Sequence, residues 1–330
     1  MHETQPLISV IIPVKNGDPW LDRTIPAILG QQLASPFEII VIDSGSTDDS
    51  LTQLARYPVK IVSIDPAEFN HGATRNRGAR LSKAEYVVMT VQDAEPADEH
   101  WLQNLLDGFT DETVAGVCGQ QIVPHDPDKN PVDWFRPISP PGRRSYRFSD
   151  PAAFNALPAA EKRSICSWDN VNAMYRRDIL LELPFPAVSF AEDALWAKAA
   201  LLAGHTIVYN TAARVKHYHF ETPDYIFKRT FTVSYHLFKY FGVSPSPMHN
   251  GVIELLRNTK LLLKEQGIGW ADKWKWLRFN YRQRSAYNRS VKAFRAALAE
   301  GETTLETRHS DLCGLAPQAI KPPASTHKIL

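Results

Sequence analysis

The chain has 330 residues, 44% of them hydrophobic, enough to bury a full-sized core in one large domain with an appendage or in two domains. Its 37 basic and 36 acidic residues leave a net charge of +1, which gives no support for a nucleic-acid binder held by bulk electrostatics. The three cysteines, Cys118, Cys166 and Cys313, lie far apart with no Cys-x-x-Cys pair, so they indicate neither a disulfide framework nor a zinc site and suit a reducing compartment.

The first residues lack the basic-then-apolar order of a signal peptide. No apolar run approaches the roughly 18 residues needed to cross a bilayer. The expectation is a cytoplasmic protein that meets a membrane only peripherally, at its inner face. From Leu7 to Pro13 the chain is continuously apolar and rich in β-branched residues. Glu38 to Asp43, Val59 to Ile64 and Tyr86 to Val91 have the same texture. Runs of this length suit strands buried on both faces of a parallel sheet. Between them lie helix starts: Asp18-Pro19-Trp20, Ser46-Thr47-Asp48-Asp49 and Pro96-Ala97-Asp98-Glu99. Strand and helix alternating at this spacing predict a doubly wound, mostly parallel α/β sheet. Pro124 to Pro158 is rich in Pro, Asp, Ser and Arg without a steady period, and reads as a long surface loop with short elements. Phe190 to Gly204 predicts a helix with Glu192 and Asp193 in its first turn. Thr206 to Tyr209 predicts a short strand, and Pro223 to Phe241 an amphipathic helix. The expected division is a first domain over 1–245 and a helical extension over 246–330, the last ~25 residues poorly ordered.

In open α/β sheets, ligands bind beyond the carboxyl ends of the strands. Three of the strand ends here are polar. Pro13-Val14-Lys15-Asn16-Gly17 follows the first, Asp43-Ser44-Gly45-Ser46 the second, and Gln92-Asp93-Ala94-Glu95 the fourth. Carboxylates there suit a ribose hydroxyl, a base edge or a metal-bound diphosphate, although Asp43 also suits a turn and Asp93 and Asp193 also suit helix caps. There is no Gly-x-Gly-x-x-Gly after the first strand and no Gly-Lys-Ser/Thr loop, which argues against a dinucleotide dehydrogenase and a P-loop NTPase.

The segments SVIIPVKNGDPWLDRTIPAIL, EIIVIDSGSTDDS, EFNHGATRNRGA, VMTVQDAEP and FAEDALWAKAALLAGHTIVYN, with Trp168-Asp169-Asn170-Val171-Asn172-Ala173 and Val215-Lys216-His217-Tyr218-His219, together resemble family-2 glycosyltransferases, in their rhamnosyltransferase-like branch. The ordered set spans about residues 7 to 240. The resemblance implies the nucleotide-sugar-binding α/β fold called GT-A, with a helical C-terminal extension. It places Pro13, Val14, Asn16, Asp43, Arg75, Gln92 and Asp93 at the donor. It implies Asp193 as general base and places Trp168, Asp169 and Glu192 at the acceptor, where Trp168 and Asp169 also suit core and turn and Glu192 also suits an orienting partner of Asp193. The family's acidic Asp-x-Asp motif reads Val91-Gln92-Asp93 here, so its first acid is missing. Asp93 then holds Mg²⁺ or Mn²⁺ with help from Glu95, His217 or His219. If the two histidines alternate along a strand they face opposite ways, and His219 is the chosen ligand. The expected reaction is an inverting transfer of a sugar, rhamnose from dTDP-rhamnose, to a hydroxyl of a saccharide or lipid-linked acceptor in bacterial surface polysaccharide synthesis. The alternatives are another hexose donor, a catalytically silent nucleotide-sugar-binding subunit of a synthase complex, or a nucleotidyltransferase of similar topology. The Trp-, Lys- and Arg-rich C-terminal region suits core packing with a solvated face, or contact with a membrane surface.

Overall fold

The computed structural model describes residues 5–125, 130–134, 138–219, 221–246 and 251–313. Strand β1 (Ile8–Val14) is buried along nearly all its length, as an unbroken β-branched run requires of a strand covered on both faces. It pairs in parallel with β2 (Phe37–Asp43), which pairs in parallel with β3 (Lys60–Ser63). On its other side β1 pairs in parallel with β4 (Tyr86–Met89). The register sets Val14 opposite Asp43, so β1 and β2 end flush.

Five more strands follow: β5 (Glu95–Pro96), β6 (Val114–Ile122), β7 (Arg143–Tyr146), β8 (Ala173–Arg176) and β9 (Thr206–Lys216). The order across the sheet is β3-β2-β1-β4-β8-β6-β9-β5, with β7 also on β9. Strand β8 runs antiparallel to both β4 and β6, β6 runs parallel to β9, and β5 and β7 run antiparallel to β9. The first half is therefore the parallel sheet expected, and the second half is mixed. The chain moves outward from β1 to β3, then crosses to the far side of β1 with β4. That reversal opens a crevice beyond the carboxyl ends of β1 and β4.

The helix His71–Leu81 starts at Asn70, whose side-chain oxygen accepts from the Gly72 and Ala73 amides at 3.1 and 3.0 Å. The helix Glu192–Leu202 starts at Ala191, which holds a left-handed φ of 64°, a strained conformation for a residue with a Cβ. The core of this part of the chain joins Ile12, Val41 and Val88 of the sheet to Leu21, Ile25 and Trp101 of the helices.

Two compact units are present. The first holds Met1–Ile122 and Ile138–Tyr218; the second holds Val123–Pro137 and His219–Leu330. The division thus falls near residue 218 and not at 245. The helix Pro223–Phe241 has the expected bounds but belongs to the second unit, where Phe231 and Tyr235 pack with Phe294, Ala297 and Leu305. The other helices there are Gly251–Lys264, Trp270–Glu300 and Glu302–Cys313. The chain expected to be poorly ordered is helical to Cys313, and 314–330 lie outside the described residues. The expected loop over 124–158 carries the helices Pro131–Trp134 and Pro151–Asn155 as well as β7, with 126–129 and 135–137 outside the described residues. Among the described residues no helix is long and apolar enough to cross a membrane.

Candidate active site

The loops after β1 and β2 are stitched to each other by short polar side chains. Asn16, exposed and with φ 52°, accepts from the Thr47 amide at 2.8 Å, and its own amide donates to Ser46 Oγ at 2.9 Å. The Gly17 amide donates to Ser50 Oγ at 2.7 Å, and the Ser44 amide donates to the Val14 carbonyl at 2.9 Å. Asp43, 2% exposed, receives the amides of Gly45 and Ser46 at 3.1 and 3.2 Å. Its carboxylate folds the turn, as one of its two expected readings required. Val14 points its side chain into the core, so only its backbone reaches the crevice. Pro13 is half-buried at the end of β1.

Gln92 closes the crevice between β1 and β4. The Lys15 amide donates to its Oε1 at 2.9 Å, and its Nε2 donates to the Lys15 carbonyl at 3.2 Å. A Cβ on Gly17 would meet Gln92 Oε1 at 3.1 Å, so a glycine there lets the clasp sit close. Next to Gln92, Asp93 meets His217: Oδ2 lies 3.5 Å from Nε2, with both side chains about nine-tenths buried. Ligand atoms of Asp93, His217 and His219 all lie within 4.8 Å of one another. The expected pair, Asp93 and His219, is thus brought together, and His217, expected to face the other way, joins it. Strand β9 ends at Lys216, so the strict alternation of side chains no longer applies at 217–219. Glu95, the alternative second acid, is committed elsewhere, to Arg23 at 2.7 Å and Lys216 at 3.0 Å.

A second acidic group lies beyond His217. His217 Nδ1 meets Gln121 Oε1 at 2.7 Å, and Gln121 Nε2 donates to Asp169. Asp169 also receives the Val171 amide at 2.8 Å, and burial, ahead of every other influence, pushes its pKa up. Asp193 Oδ2 accepts the Asn170 amide at 3.3 Å and its Oδ1 the Ala194 amide at 2.7 Å. Burial first, then the Glu192 and Asp169 carboxylates, push the Asp193 pKa up to about 7. The helix N-terminus acts the other way, but a dipole contribution of roughly 0.3–1 kcal/mol is less than one pKa unit and loses.

Glu192 faces inward. It pairs with Arg75 at 3.0 Å, with side-chain exposures of 9% and 4%, and accepts from Asn170 Nδ2 at 3.3 Å. Asn170 in turn accepts the Tyr175 hydroxyl at 2.5 Å, and Tyr175 accepts the Trp168 indole N–H at 2.7 Å. Three of the expected site residues lie in this inner network. Arg75, expected at the donor phosphates, is buried and spends its guanidinium on Glu192. Glu192, expected at the acceptor, is buried behind the crevice. Trp168, also expected at the acceptor, is 4% exposed in an aromatic core with Tyr175, Trp196 and Tyr209. Gln121 and Asn170 escaped the sequence reading as site residues. Asn170 lay inside a quoted motif, whereas Gln121 carries no local signal, and only the β6–β9 pairing brings it to His217.

The family model for glycosyl transferase family 2 matches residues 9–183. The chain belongs to glycosyl transferase family 2. It is 34% identical over 230 residues to the O-antigen chain rhamnosyltransferase RfbN of Salmonella typhimurium, covering 68% of this chain and 70% of that protein. To the O-antigen chain rhamnosyltransferase WbaN of Salmonella anatum it is 32% identical over 231 residues, with the same coverage. Among solved structures it resembles the mannosyltransferase PcManGT of Pyrobaculum calidifontis in complex with GDP-Man and Mn²⁺. The TM-score is 0.51 at 18% identity, over 93% of this chain and 84% of that one. The glucosyl-3-phosphoglycerate synthase of Mycobacterium tuberculosis gives 0.50 at 17% identity, over 73% and 82%. This family-2 glycosyltransferase thus has the GT-A fold, and its crevice lies where the strand order reverses.

Proposed function

We propose that this family-2 glycosyltransferase moves rhamnose from dTDP-rhamnose to a hydroxyl of a saccharide or lipid-linked saccharide, with inversion, in the synthesis of a bacterial surface polysaccharide. The sugar and the polymer are carried by the two Salmonella rhamnosyltransferases it resembles. The chemistry is carried by the setting of Asp193, which accepts the Asn170 and Ala194 amides in the first helical turn and whose pKa burial and the Glu192 and Asp169 carboxylates push up to about 7. An acceptor hydroxyl is a poor nucleophile, and a carboxylate with a pKa near the working pH both holds its negative form and accepts a proton well. Glu192 is engaged by Arg75 and Asn170. One free base suits a single in-line displacement, which inverts the anomeric centre.

The loop of Pro13, the Val14 backbone and Asn16, with Asp43 behind it, forms the donor wall, and Gln92 keeps that wall against β4. Asp169 lies beside Asp193 on the acceptor side. Asp93, His217 and His219 supply one carboxylate oxygen and two imidazole nitrogens, a donor set that fits a divalent first-row ion such as Mn²⁺ better than Mg²⁺. When bound there, the ion would neutralise charge on the leaving diphosphate as a Lewis acid. Gln121 then orients His217 by holding its Nδ1 side, so that Nε2 faces Asp93.

The test is nucleotide release from a panel of sugar-nucleotide donors with Mn²⁺ or Mg²⁺. dTDP release from dTDP-rhamnose is expected, lost on chelation and reduced about 10²-fold or more in Asp93→Ala. Release from a different donor alone would discard rhamnose and keep the class. Absence of donor binding by calorimetry would remove the transferase reading altogether.

A further inference from the structure

We infer that the helices Gly251–Lys264 and Trp270–Glu300 carry a preformed docking face for an anionic lipid surface. The charge of the chain is segregated. Residues 251–300 hold eleven Lys and Arg against four Asp and Glu, an excess of seven in a chain whose net charge is +1. The exposed large apolar side chains are segregated in the same place. Of the ten among the described residues, six fall between Ile253 and Tyr281. Trp270, Trp274 and Tyr281 are 68%, 70% and 61% exposed, far beyond what a solvated helix needs from residues of this size.

Their spacing is what makes them a face. Offsets of four and seven residues set the three rings within about 40° of one another around a helix of 3.6 residues per turn. Arg278, Arg282 and Lys275, all exposed, come next around the same helix. On the preceding helix Ile253, Leu256 and Leu263 form a second exposed apolar stripe, with Lys260 and Lys264 exposed beside it. Lys273 joins the two helices, since its Nζ donates to the Leu263 carbonyl at 2.9 Å and lies 5.0 Å from the Trp270 ring centre. An aromatic and aliphatic stripe flanked by cations is the pattern that lies in the headgroup layer, its rings at the acyl boundary and its cations on anionic lipid. A protein partner of ordinary composition would not account for so large a one-signed excess, and a second copy of this face would repel the first.

The test is flotation of the full chain with vesicles of phosphatidylcholine alone and of phosphatidylcholine mixed with phosphatidylglycerol. Binding is expected to the mixed vesicles and not to the neutral ones, to weaken as salt rises, and to fall at least about ten-fold in Trp270→Ala/Trp274→Ala. A second variant, Arg278→Glu/Arg282→Glu, should lose binding to the anionic vesicles alike. Both variants alter exposed side chains and should melt with the wild-type chain. Both should keep its donor hydrolysis, so this inference and the sugar-transfer reading fail separately. Failure to float with anionic vesicles would overturn the inference, as would a double tryptophan variant that binds like the wild type. A concentration-dependent dimer abolished by the tryptophan changes, without flotation, would assign the face to a second copy and overturn it too.

Discussion

At the scale of single residues, the proposed mechanism turns on why Asp193 holds a proton so readily. It stands in the first turn of a helix beside two other carboxylates, held there by a strained Ala191. In the unfolded chain its carboxyl titrates near 3.8 and in the fold near 7, so between these values the folded state binds the proton more tightly. Stability therefore falls as pH rises through that window, and the cost is full above about 7. Asp193→Asn removes the charge and keeps the side-chain shape. It should raise the unfolding free energy at pH 8 by on the order of 1–3 kcal/mol, melt with the wild type at pH 4, and lower turnover by about 10²-fold or more. Wild-type turnover should fall as pH drops below about 7. Thermal melts across pH and a pH–rate profile check both halves. An Asn variant that turns over at the wild-type rate would remove Asp193 as the base. The position of Asp193 was legible because a Glu-Asp pair opening an apolar helix is a local pattern. Its pKa was not, because its largest cause, burial, depends on the whole fold, and Asp169 adds to it from a segment 24 residues away.

At the scale of elements, the strands with uninterrupted apolar runs were readable, and so were the polar loops after them. Strand β6 was not foreseen. Its sequence, VAGVCGQQI, contains two glycines and two adjacent glutamines, so it lacks both the alternation and the dense β-branching that mark a strand. What holds it in place is tertiary. The register between β6 and β9 shifts between Cys118 and Gln120, and Asn172 spans the irregularity by donating to the Ala213 and Gln120 carbonyls at 2.9 and 3.3 Å. A Cβ on Gly119 would lie 2.2 Å from Asn172 Nδ2 and 2.3 Å from the Ala213 carbonyl oxygen. Gly119→Ala should therefore cost about 1–3 kcal/mol in chemical denaturation. It should also weaken Mn²⁺ binding by calorimetry, because Gln121, two residues on, orients His217. A variant as stable as the wild type would mean that this irregularity relaxes freely. The same dependence on distant pairing explains why His217 was not foreseen beside His219, for the sequence does not mark where β9 stops.

At the scale of the whole molecule, composition and the compact units divide the chain at different residues for a physical reason. The helix Pro223–Phe241 has the amphipathic period of a helix packed on a sheet, and a period does not say which partner covers the apolar face. The structure covers it with the helices Trp270–Glu300 and Glu302–Cys313: Phe231 is fully buried and Tyr235 is 7% exposed against Phe294, Ala297 and Leu305. Phe231 and Phe294 meet edge-on at 5.9 Å between ring centres, and Tyr235 stacks on His309 at 4.2 Å. A fragment ending at residue 245 keeps one side of this core and loses the other. Uncovering a buried Phe or Leu side chain costs roughly 1.5–3 kcal/mol, and several are uncovered at once. The fragment should therefore aggregate or unfold its last helix, seen as lost helical dichroism and a lower melting temperature than the full-length protein. A 1–245 fragment that stays monodisperse and keeps its full helical signal would show that the Pro223–Phe241 helix finds its cover elsewhere.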